Sequence, residues 1–243
     1  MSDQAGFHNT YDDAHYAASY AQLEWEGTYR LIQRDLPGIL REHITGRRAL
    51  DFGCGTGRST RFLRDLGFDA VGVDISEPML ARARERDPAG RYRLVPDGDL
   101  GELPAGSFDV VLSAFTFDNI PTREKKIRLF RDLRRLLGAG GRIVSLVSAP
   151  EIYVNEWASF STKDFPGNRA ARCGDKVLIV MLDVDDKRPV EDILWTDEGY
   201  CEVYAEAGLG VVKKYEPLGR AGEGQPWVSE TAVAPWVIYV LEG

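Results

Sequence analysis

The sequence predicts an α/β fold in which helices cover both faces of a mostly parallel sheet. Three observations support this prediction: short apolar stretches alternate with amphipathic ones over residues 47–147, the connections between them are short, and a glycine-rich turn follows the first apolar stretch. Alternation of strands and helices produces βαβ units with parallel strands. Their right-handed crossovers bring the carboxyl ends of the strands to one edge of the sheet, where ligands bind.

The central segment contains the clearest elements. The most regular helix covers residues 124–137, where Ile127, Phe130, Leu133 and Leu137 recur at helical spacing and glycines follow. We predict strands at 47–52, 70–73, 91–95, 108–114 and 142–147, and helices at 58–66, 77–86 and 124–137.

The flanking segments are less regular. Residues 1–45 are rich in tyrosine and predict helices ahead of the sheet, whereas the runs at 176–184 and 190–195 predict a hairpin inserted after the fifth strand. A helix at 196–207 begins with Thr196 as its N-cap. Two strands, at 210–215 and 236–241, complete seven strands, the last of them antiparallel. The chain is therefore predicted to be one domain over 1–243, divided at 1–45, 46–148, 149–196 and 197–243.

Composition excludes several classes of protein. The chain has 243 residues, 44% of them hydrophobic, a formal net charge of −8 and three scattered cysteines. The cysteines are too few for a disulfide framework or a zinc site, so we expect a reducing, cytoplasmic location and no metal. An acidic chain is a poor sequence-independent nucleic-acid binder, and no apolar run approaches the roughly 20 residues of a membrane helix. Residues 1–10 lack the pattern of a signal peptide.

The strongest motif lies where the first strand turns into a helix, at residues 51–57, Asp-Phe-Gly-Cys-Gly-Thr-Gly. Alternate glycines allow the backbone to turn tightly and approach a ligand, and the helix that follows presents free N–H groups. The spacing differs from the Gly-x-Gly-x-x-Gly of dinucleotide folds, because Arg58 and Thr60 occupy the positions that need glycine. No Gly-Lys-Ser/Thr follows, which excludes a P-loop.

The pattern Asp-x-Gly-x-Gly-x-Gly resembles the nucleoside-binding motif of class I S-adenosylmethionine-dependent methyltransferases. The resemblance continues in order through segments 71–80, 97–104 and 107–114. It implies a Rossmann-like seven-stranded sheet, with 46–148 as the cofactor-binding core, 1–45 as a lid and 149–196 as a substrate cap. An acid beside the glycines suits this cofactor, which carries cationic groups and no phosphate.

The same resemblance implies roles for individual residues. Asp74 accepts hydrogen bonds from the ribose hydroxyls, Asp99 binds the adenine amino group and Leu100 packs on the ring, whereas Asp97 is expected to be a solvated loop residue. The cofactor-binding set implied in this way is Asp51, Gly53, Gly55, Thr56, Gly57, Asp74, Ile75, Met79, Gly98, Asp99, Leu100, Ala114 and Phe115.

The acceptor side is less defined. Within the superfamily the chain looks most like the small-molecule branch that includes ubiquinone and menaquinone biosynthesis methyltransferases, many of which carry histidine at the position of Asp118. Asp118 follows the fourth strand and is the best choice for a general base. We expect the acceptor to be a flat or partly apolar small molecule that is methylated on an oxygen or nitrogen atom. The chain is also expected to allow a homodimer. The predicted substrate residues are Tyr11, Tyr20, Phe117, Asn119, Trp157, Trp227 and Glu230.

Two alternatives stay open at this stage. A catalytically degenerate nucleoside-binding module that regulates a partner would retain Asp51 and Asp74 and lack a working acceptor pocket. An NAD-dependent oxidoreductase is disfavoured by the glycine spacing and by the absence of a Tyr-x-x-x-Lys pair.

Overall fold

A seven-stranded sheet forms the centre of the computed structural model, which describes residues 13–243. Its strands are β1 (Arg48–Phe52), β2 (Asp69–Asp74), β3 (Arg91–Leu94), β4 (Phe108–Ala114), β5 (Leu137–Ser148), β9 (Gly210–Tyr215) and β10 (Trp236–Glu242). They are ordered β3-β2-β1-β4-β5-β10-β9 in the sheet, and β10 runs antiparallel to both of its neighbours. This confirms the predicted mostly parallel sheet with an antiparallel last strand.

Helices cover both faces of this sheet. They are α1 (Ala14–Tyr20), α2 (Arg30–His43), α3 (Arg58–Asp65), α4 (Glu77–Arg86), α5 (Arg123–Leu136) and α6 (Asp197–Glu206). Side-chain hydroxyls cap three of them, since Ser76, Thr122 and Thr196 accept from backbone N–H groups of the first turns of α4, α5 and α6. These local signals explain why the predicted helix boundaries agree with the structure to within about two residues.

Alternation along the central strands produces two hydrophobic cores. Val110 and Leu112 of β4 face the core that contains α2, whereas Val111 faces the core that contains Phe130 and Leu133 of α5. Successive side chains of a strand point to opposite faces, so each central strand contributes to both cores. Packing on both faces thereby holds the carboxyl ends of the central strands, which lie between the two cores, in a fixed geometry.

The fifth strand differs from its prediction. It begins at Leu137, immediately after α5, instead of at residue 142, and Leu137 already pairs with Phe108 of β4. The register then shifts before Val110 pairs with Arg142. The glycine segment 138–141 therefore forms an irregular start of the strand, which a rule that ends elements at glycine does not detect.

The insertion is a small sheet instead of a simple hairpin. The predicted hairpin is present as β7 (Lys176–Met181) and β8 (Val190–Ile193), and β6 (Phe160–Ser161) adds a third strand beside β7. Two residues are too short a strand to give a recognisable pattern. This three-stranded sheet follows β5 in the chain.

The described part of the N-terminal segment connects the insertion with the core. Gln22 donates to Asp185 of the insertion at 2.6 Å, and the Asp186 N–H donates to Ser19 at 2.8 Å. On the other side Arg86 of α4 donates to Glu24 at 2.7 Å. Residues 13–26 therefore lie across the same side of the molecule as the insertion. Within residues 13–243, no helix combines the length and the apolar character that crossing a membrane requires.

Candidate cofactor and acceptor site

The glycine turn after β1 adopts the backbone conformation that its sequence predicts. Gly53, Gly55 and Gly57 have φ values of 72°, 52° and 79°, in the left-handed region that favours glycine. The N–H groups of Gly53 and Cys54 donate to the Val73 carbonyl at 2.9 and 3.0 Å, which holds the turn against β2. The start of α3 is thereby directed at the carboxyl edge of the sheet.

Asp51 supports this turn from behind. Its Oδ2 accepts hydrogen bonds from Ser59 at 2.7 Å and Thr60 at 2.6 Å, so it ties the end of β1 to the first turn of α3. The side chain is fully buried, and this burial raises the pKa of the carboxyl to about 6. Asp51 therefore acts through the backbone that it positions.

The carboxylate of Asp74 stands at the end of β2 and faces the turn. Its Oδ2 accepts from the Gly55 N–H at 2.8 Å and its Oδ1 accepts from the Ser76 N–H at 2.9 Å. The side chain also lines a cavity of about 180 Å³ at the carboxyl edge of the sheet. Two backbone donors thus fix its orientation toward that cavity.

The cavity combines the glycine turn with an apolar wall. A Cβ atom on Gly55 would lie 3.2 Å from Met79 and 3.9 Å from Tyr20, two side chains of the wall, so only glycine leaves this space open. Apolar side chains around a carboxylate suit a flat ring joined to a ribose. The residues around this cavity therefore fit S-adenosylmethionine. Eight members of the predicted cofactor set line this cavity: Gly53, Gly55, Asp74, Ile75, Met79, Gly98, Ala114 and Phe115.

The remaining predicted residues lie elsewhere. Asp51, Thr56 and Gly57 shape the turn from behind the cavity wall, where Gly57 packs closely against Tyr92. Leu100 is enclosed in a hydrophobic core and does not line this cavity, and its predicted packing on the ring stays a prediction. Val95 and Leu129 line the cavity instead.

The two acids after the third strand differ in position. Asp97, predicted to be a solvated loop residue, is exposed and also lines the cavity. Asp99 is exposed and accepts from the Gly101 N–H at 2.8 Å, and its contact with the adenine amino group stays a prediction. Asp97 has a φ of 54°, an unusual value for a residue with a side chain. This left-handed conformation places Asp97 in the cavity wall.

Arg58, the first residue of α3, was not predicted to belong to the site. It lines the large cavity, donates to the Glu24 carbonyl at 2.8 Å, and places its guanidinium 4.3 Å from the ring centre of Tyr29. Trp25 packs on the same guanidinium at 4.8 Å. A cation at this position attracts a carboxylate, and it also attaches the N-terminal segment to the cavity.

A second, smaller cavity of about 50 Å³ adjoins the first. It lies between the ends of β4 and β5 and the three-stranded sheet of the insertion, and the two cavities share Tyr20, Phe115 and Asn119 in their walls. Tyr20 and Asn119 had been predicted to contact substrate. Phe115 has a φ of 64°, so a strained backbone places its ring at the junction.

Two buried carboxylates line the second cavity. Asp118 accepts from the Ser148 N–H at 3.1 Å and from the Tyr200 hydroxyl at 3.3 Å, and Asp192 accepts from the Tyr153 hydroxyl at 3.0 Å. Burial raises the pKa of Asp118 to about 6 and that of Asp192 to about 7. Asp192 was not singled out from the sequence, although its alternation with the exposed Glu191 on β8 is a signal of an inward position.

Several predicted substrate residues are parts of the core instead. Phe117 is fully buried and stacks on Phe130 with 3.8 Å between ring centres, and Trp157 is buried with its indole N–H donating to the Ile152 carbonyl. Glu230 is fully buried and accepts from Thr28 at 2.7 Å. Trp227 packs beside Gly219 at the rim of a core. These four side chains lie outside the walls of the two cavities, so their role in an acceptor pocket stays a prediction, and Tyr11 lies outside the described residues.

Comparison with known proteins agrees with this geometry. Residues 50–145 match the family model described as a methyltransferase domain. The chain is 25% identical over 198 residues to the N-demethylindolmycin N-methyltransferase of Streptomyces griseus, a match that covers 80% of this chain and 83% of that protein. Over 135 residues it is 34% identical to the eEF1A lysine and N-terminal methyltransferase of Bos taurus, which covers 51% of this chain. The match spans only 19% of that relative's length.

The fold is shared with solved structures over nearly the whole chain. The CcbJ methyltransferase from Streptomyces caelestis superimposes with a TM-score of 0.65 at 21% identity, covering 97% of this chain and 98% of that one. At this identity the likeness concerns the fold. It extends over the insertion and the C-terminal strands, which the family model does not include.

Proposed function

We propose that this chain, which carries a methyltransferase domain of the class I S-adenosylmethionine-dependent superfamily, methylates an oxygen or nitrogen atom of a small molecule. The observation that carries the proposal is the junction of the two cavities. Tyr20, Phe115 and Asn119 belong to both walls, so a ligand in the large cavity and a ligand in the small one meet there. In-line transfer requires such an arrangement, with donor and acceptor on opposite sides of the transferred carbon.

The large cavity is assigned to the donor. When bound, S-adenosylmethionine supplies a methyl carbon activated by a positively charged sulfur. In this proposal Asp74 holds the ribose, Met79 and Leu129 contact the flat base, and the Arg58 guanidinium binds the amino-acid carboxylate. Asp97, at the end of the third strand, is available to the polar edge of the base.

The small cavity is assigned to the acceptor. The main sheet, the insertion and Tyr20 form its wall. Residues 149–196 act as the substrate cap in this proposal, because Phe160 and Asp192 of that segment complete the cavity wall. The small volume of this cavity favours a small molecule over a folded protein.

Relatives support the small-molecule assignment. The N-demethylindolmycin N-methyltransferase aligns with most of this chain, whereas the eEF1A methyltransferase aligns with about half of it. The longer alignment, over 80% of this chain, is with the relative that is named for a small-molecule substrate, and this favours a small-molecule acceptor.

Calorimetric titration with S-adenosylhomocysteine, with NADH in parallel, tests the donor site. We expect micromolar binding of the first ligand and none of the second. NADH binding would overturn the proposal. Once binding is established, the protein is incubated with S-adenosylmethionine and matched amines and phenols. Release of S-adenosylhomocysteine then measures methyl transfer. Tight donor binding without transfer to any acceptor would favour the regulatory module.

A further inference from the structure

The small cavity contains more buried negative than positive charge. Asp118 and Asp192 both line it, and among the described residues its wall includes neither lysine nor arginine. Both carboxylates are nearly inaccessible to water, at 3% and 8% exposure. Two buried carboxylates are unfavourable where the positive charge nearby does not balance theirs, so this pair favours a ligand that supplies positive charge.

Lys126 is the buried cation nearest to this pair, and its amino group is directed elsewhere. Its Nζ donates to the Phe117 carbonyl and lies 5.0 Å from the ring centre of Trp195. Within residues 13–243 it forms no direct ion pair with Asp118 or Asp192. One lysine facing two acids leaves the cluster one positive charge short when all three groups are ionised.

Aromatic side chains form part of the rest of the wall, together with aliphatic ones. Tyr29, Phe115, Phe160 and Trp236 line the same cavity, and their ring centres lie 5.1–6.2 Å apart in mostly tilted or edge-on arrangements. The faces of aromatic rings attract organic cations, most strongly where water is excluded. Aromatic rings and carboxylates together are the two kinds of group that recognise an ammonium ion on an apolar molecule.

We propose that the small cavity is an ammonium site, so that the acceptor is an amine, bound as its cation between Asp118 and Asp192. This inference rests on the proposed function and specifies its substrate class. Asp192 then accepts one proton from the ammonium group and becomes a neutral carboxylic acid, while the N–H bonding pair remains on nitrogen as the lone pair that attacks. Asp118, which has two hydrogen-bond donors, retains its charge and holds the nitrogen at the junction with the large cavity.

The distinction between the two acids follows from their partners. Asp118 accepts from a backbone N–H and a hydroxyl, which stabilise its ionised form, whereas Tyr153 is the donor to Asp192. Several charged and titratable groups on the surrounding elements act on the pair: Lys126, Tyr153, Glu191, Tyr200, Tyr20 and Tyr204. This environment makes Asp192 the better proton acceptor.

The test uses the complex with S-adenosylhomocysteine and three probes of nearly equal shape: benzylamine, benzyl alcohol and benzoate. We expect benzylamine to bind at least tenfold more tightly than benzyl alcohol, and benzoate to bind more weakly than either. Trp236 in the cavity wall provides a fluorescence signal. Equal affinity for amine and alcohol would overturn the ammonium site.

Matched variants on β8 locate the effect. Asp192→Asn removes the charge with little change of shape, and we expect at least a tenfold loss of benzylamine affinity with benzyl alcohol affinity unchanged. Glu191→Gln, the exposed neighbour on the same strand, is the control and is expected to bind benzylamine like the wild type. Benzylamine affinity that is the same in both variants would also overturn the inference.

Proton release on benzylamine binding provides a second test of the ammonium site, and it needs only the wild-type protein. An ammonium ion beside Asp192 lowers the pKa of its carboxyl, so calorimetry at pH 6.5 in buffers of different ionisation enthalpy should detect proton release on benzylamine binding. Binding without proton exchange would contradict the assigned role of Asp192. If S-adenosylhomocysteine binds and benzylamine does not, the ammonium site fails and the proposed function stands. If S-adenosylhomocysteine does not bind, the proposed function itself fails.

Discussion

The carboxylate of Asp74 accepts a hydrogen bond of 2.8 Å from the backbone N–H of Gly55. This contact joins the end of β2 to the middle of the glycine turn after β1. It orients the carboxylate before any ligand arrives, because the turn itself is held by the Val73 carbonyl. A site prepared in this way loses little conformational entropy on binding.

Neutralising Asp74 is therefore expected to weaken donor binding without disturbing the fold. Asp74→Asn should reduce S-adenosylhomocysteine affinity by about 1.5–3 kcal/mol, the size of a hydrogen bond to a charged group. Calorimetric titration measures the change. Glu77→Gln, at the exposed start of α4, is the control. Unchanged affinity in Asp74→Asn would remove Asp74 from the site.

Arg58 is expected to recognise the amino-acid end of the donor. Arg58→Met should weaken S-adenosylhomocysteine about tenfold, or roughly 1.4 kcal/mol, and leave 5′-methylthioadenosine, which lacks the amino acid, within twofold. Both affinities are read by calorimetry. Arg64→Met on the same helix, where the native side chain pairs with Asp87, serves as the comparison. Equal weakening of both ligands would mean that Arg58 only shapes the cavity.

Phe117 is expected to stabilise the fold instead of binding the acceptor. Its ring is fully buried against Phe130 and Phe52, so Phe117→Ala should lower the free energy of unfolding by about 3–5 kcal/mol. Urea denaturation measures this loss, and Val228→Ala at an exposed position should change stability by less than about 0.5 kcal/mol. A nearly neutral Phe117→Ala would restore the sequence-based assignment.

The burial of Asp192 predicts a pH-dependent difference in stability between the wild type and Asp192→Asn. Burial raises the pKa of the folded carboxyl to about 7, against an ordinary value of about 3.9 in the unfolded chain. Between these values the unfolded chain has lost the proton that the folded protein retains. Wild-type stability relative to the variant should therefore fall as pH rises from about 4 to 7, and level off above 7.

Urea denaturation of both proteins at intervals from pH 4.5 to 8 measures this difference. Glu191→Gln provides the exposed control on the same strand. A difference that grows in favour of the wild type over this range would mean that the Asp192 charge is already compensated inside the protein. That result would weaken the ammonium site as well.

Local patterns were sufficient for the glycine turn and for the acid that faces it. The left-handed glycines at 53, 55 and 57, the acid at the end of β2 and the amphipathic α5 all depend on residues within a few positions of one another. Backbone sterics and helical spacing act over this range, so the sequence predicted them correctly. The parallel direction of the central strands followed from βαβ connectivity.

The acceptor half depended on contacts between distant segments. Asp118 and Asp192 share a cavity although 73 positions separate them, and only the packing of the insertion on the main sheet brings them together. The same packing buries Phe117, Trp157 and Glu230, and the left-handed backbone of Asp97 places this residue in the wall of the donor cavity. By itself the sequence determined most of the helices and strands of the main sheet and the position of the glycine turn. The tertiary structure decided which side chains face the acceptor, because burial is set by non-local packing and not by local spacing.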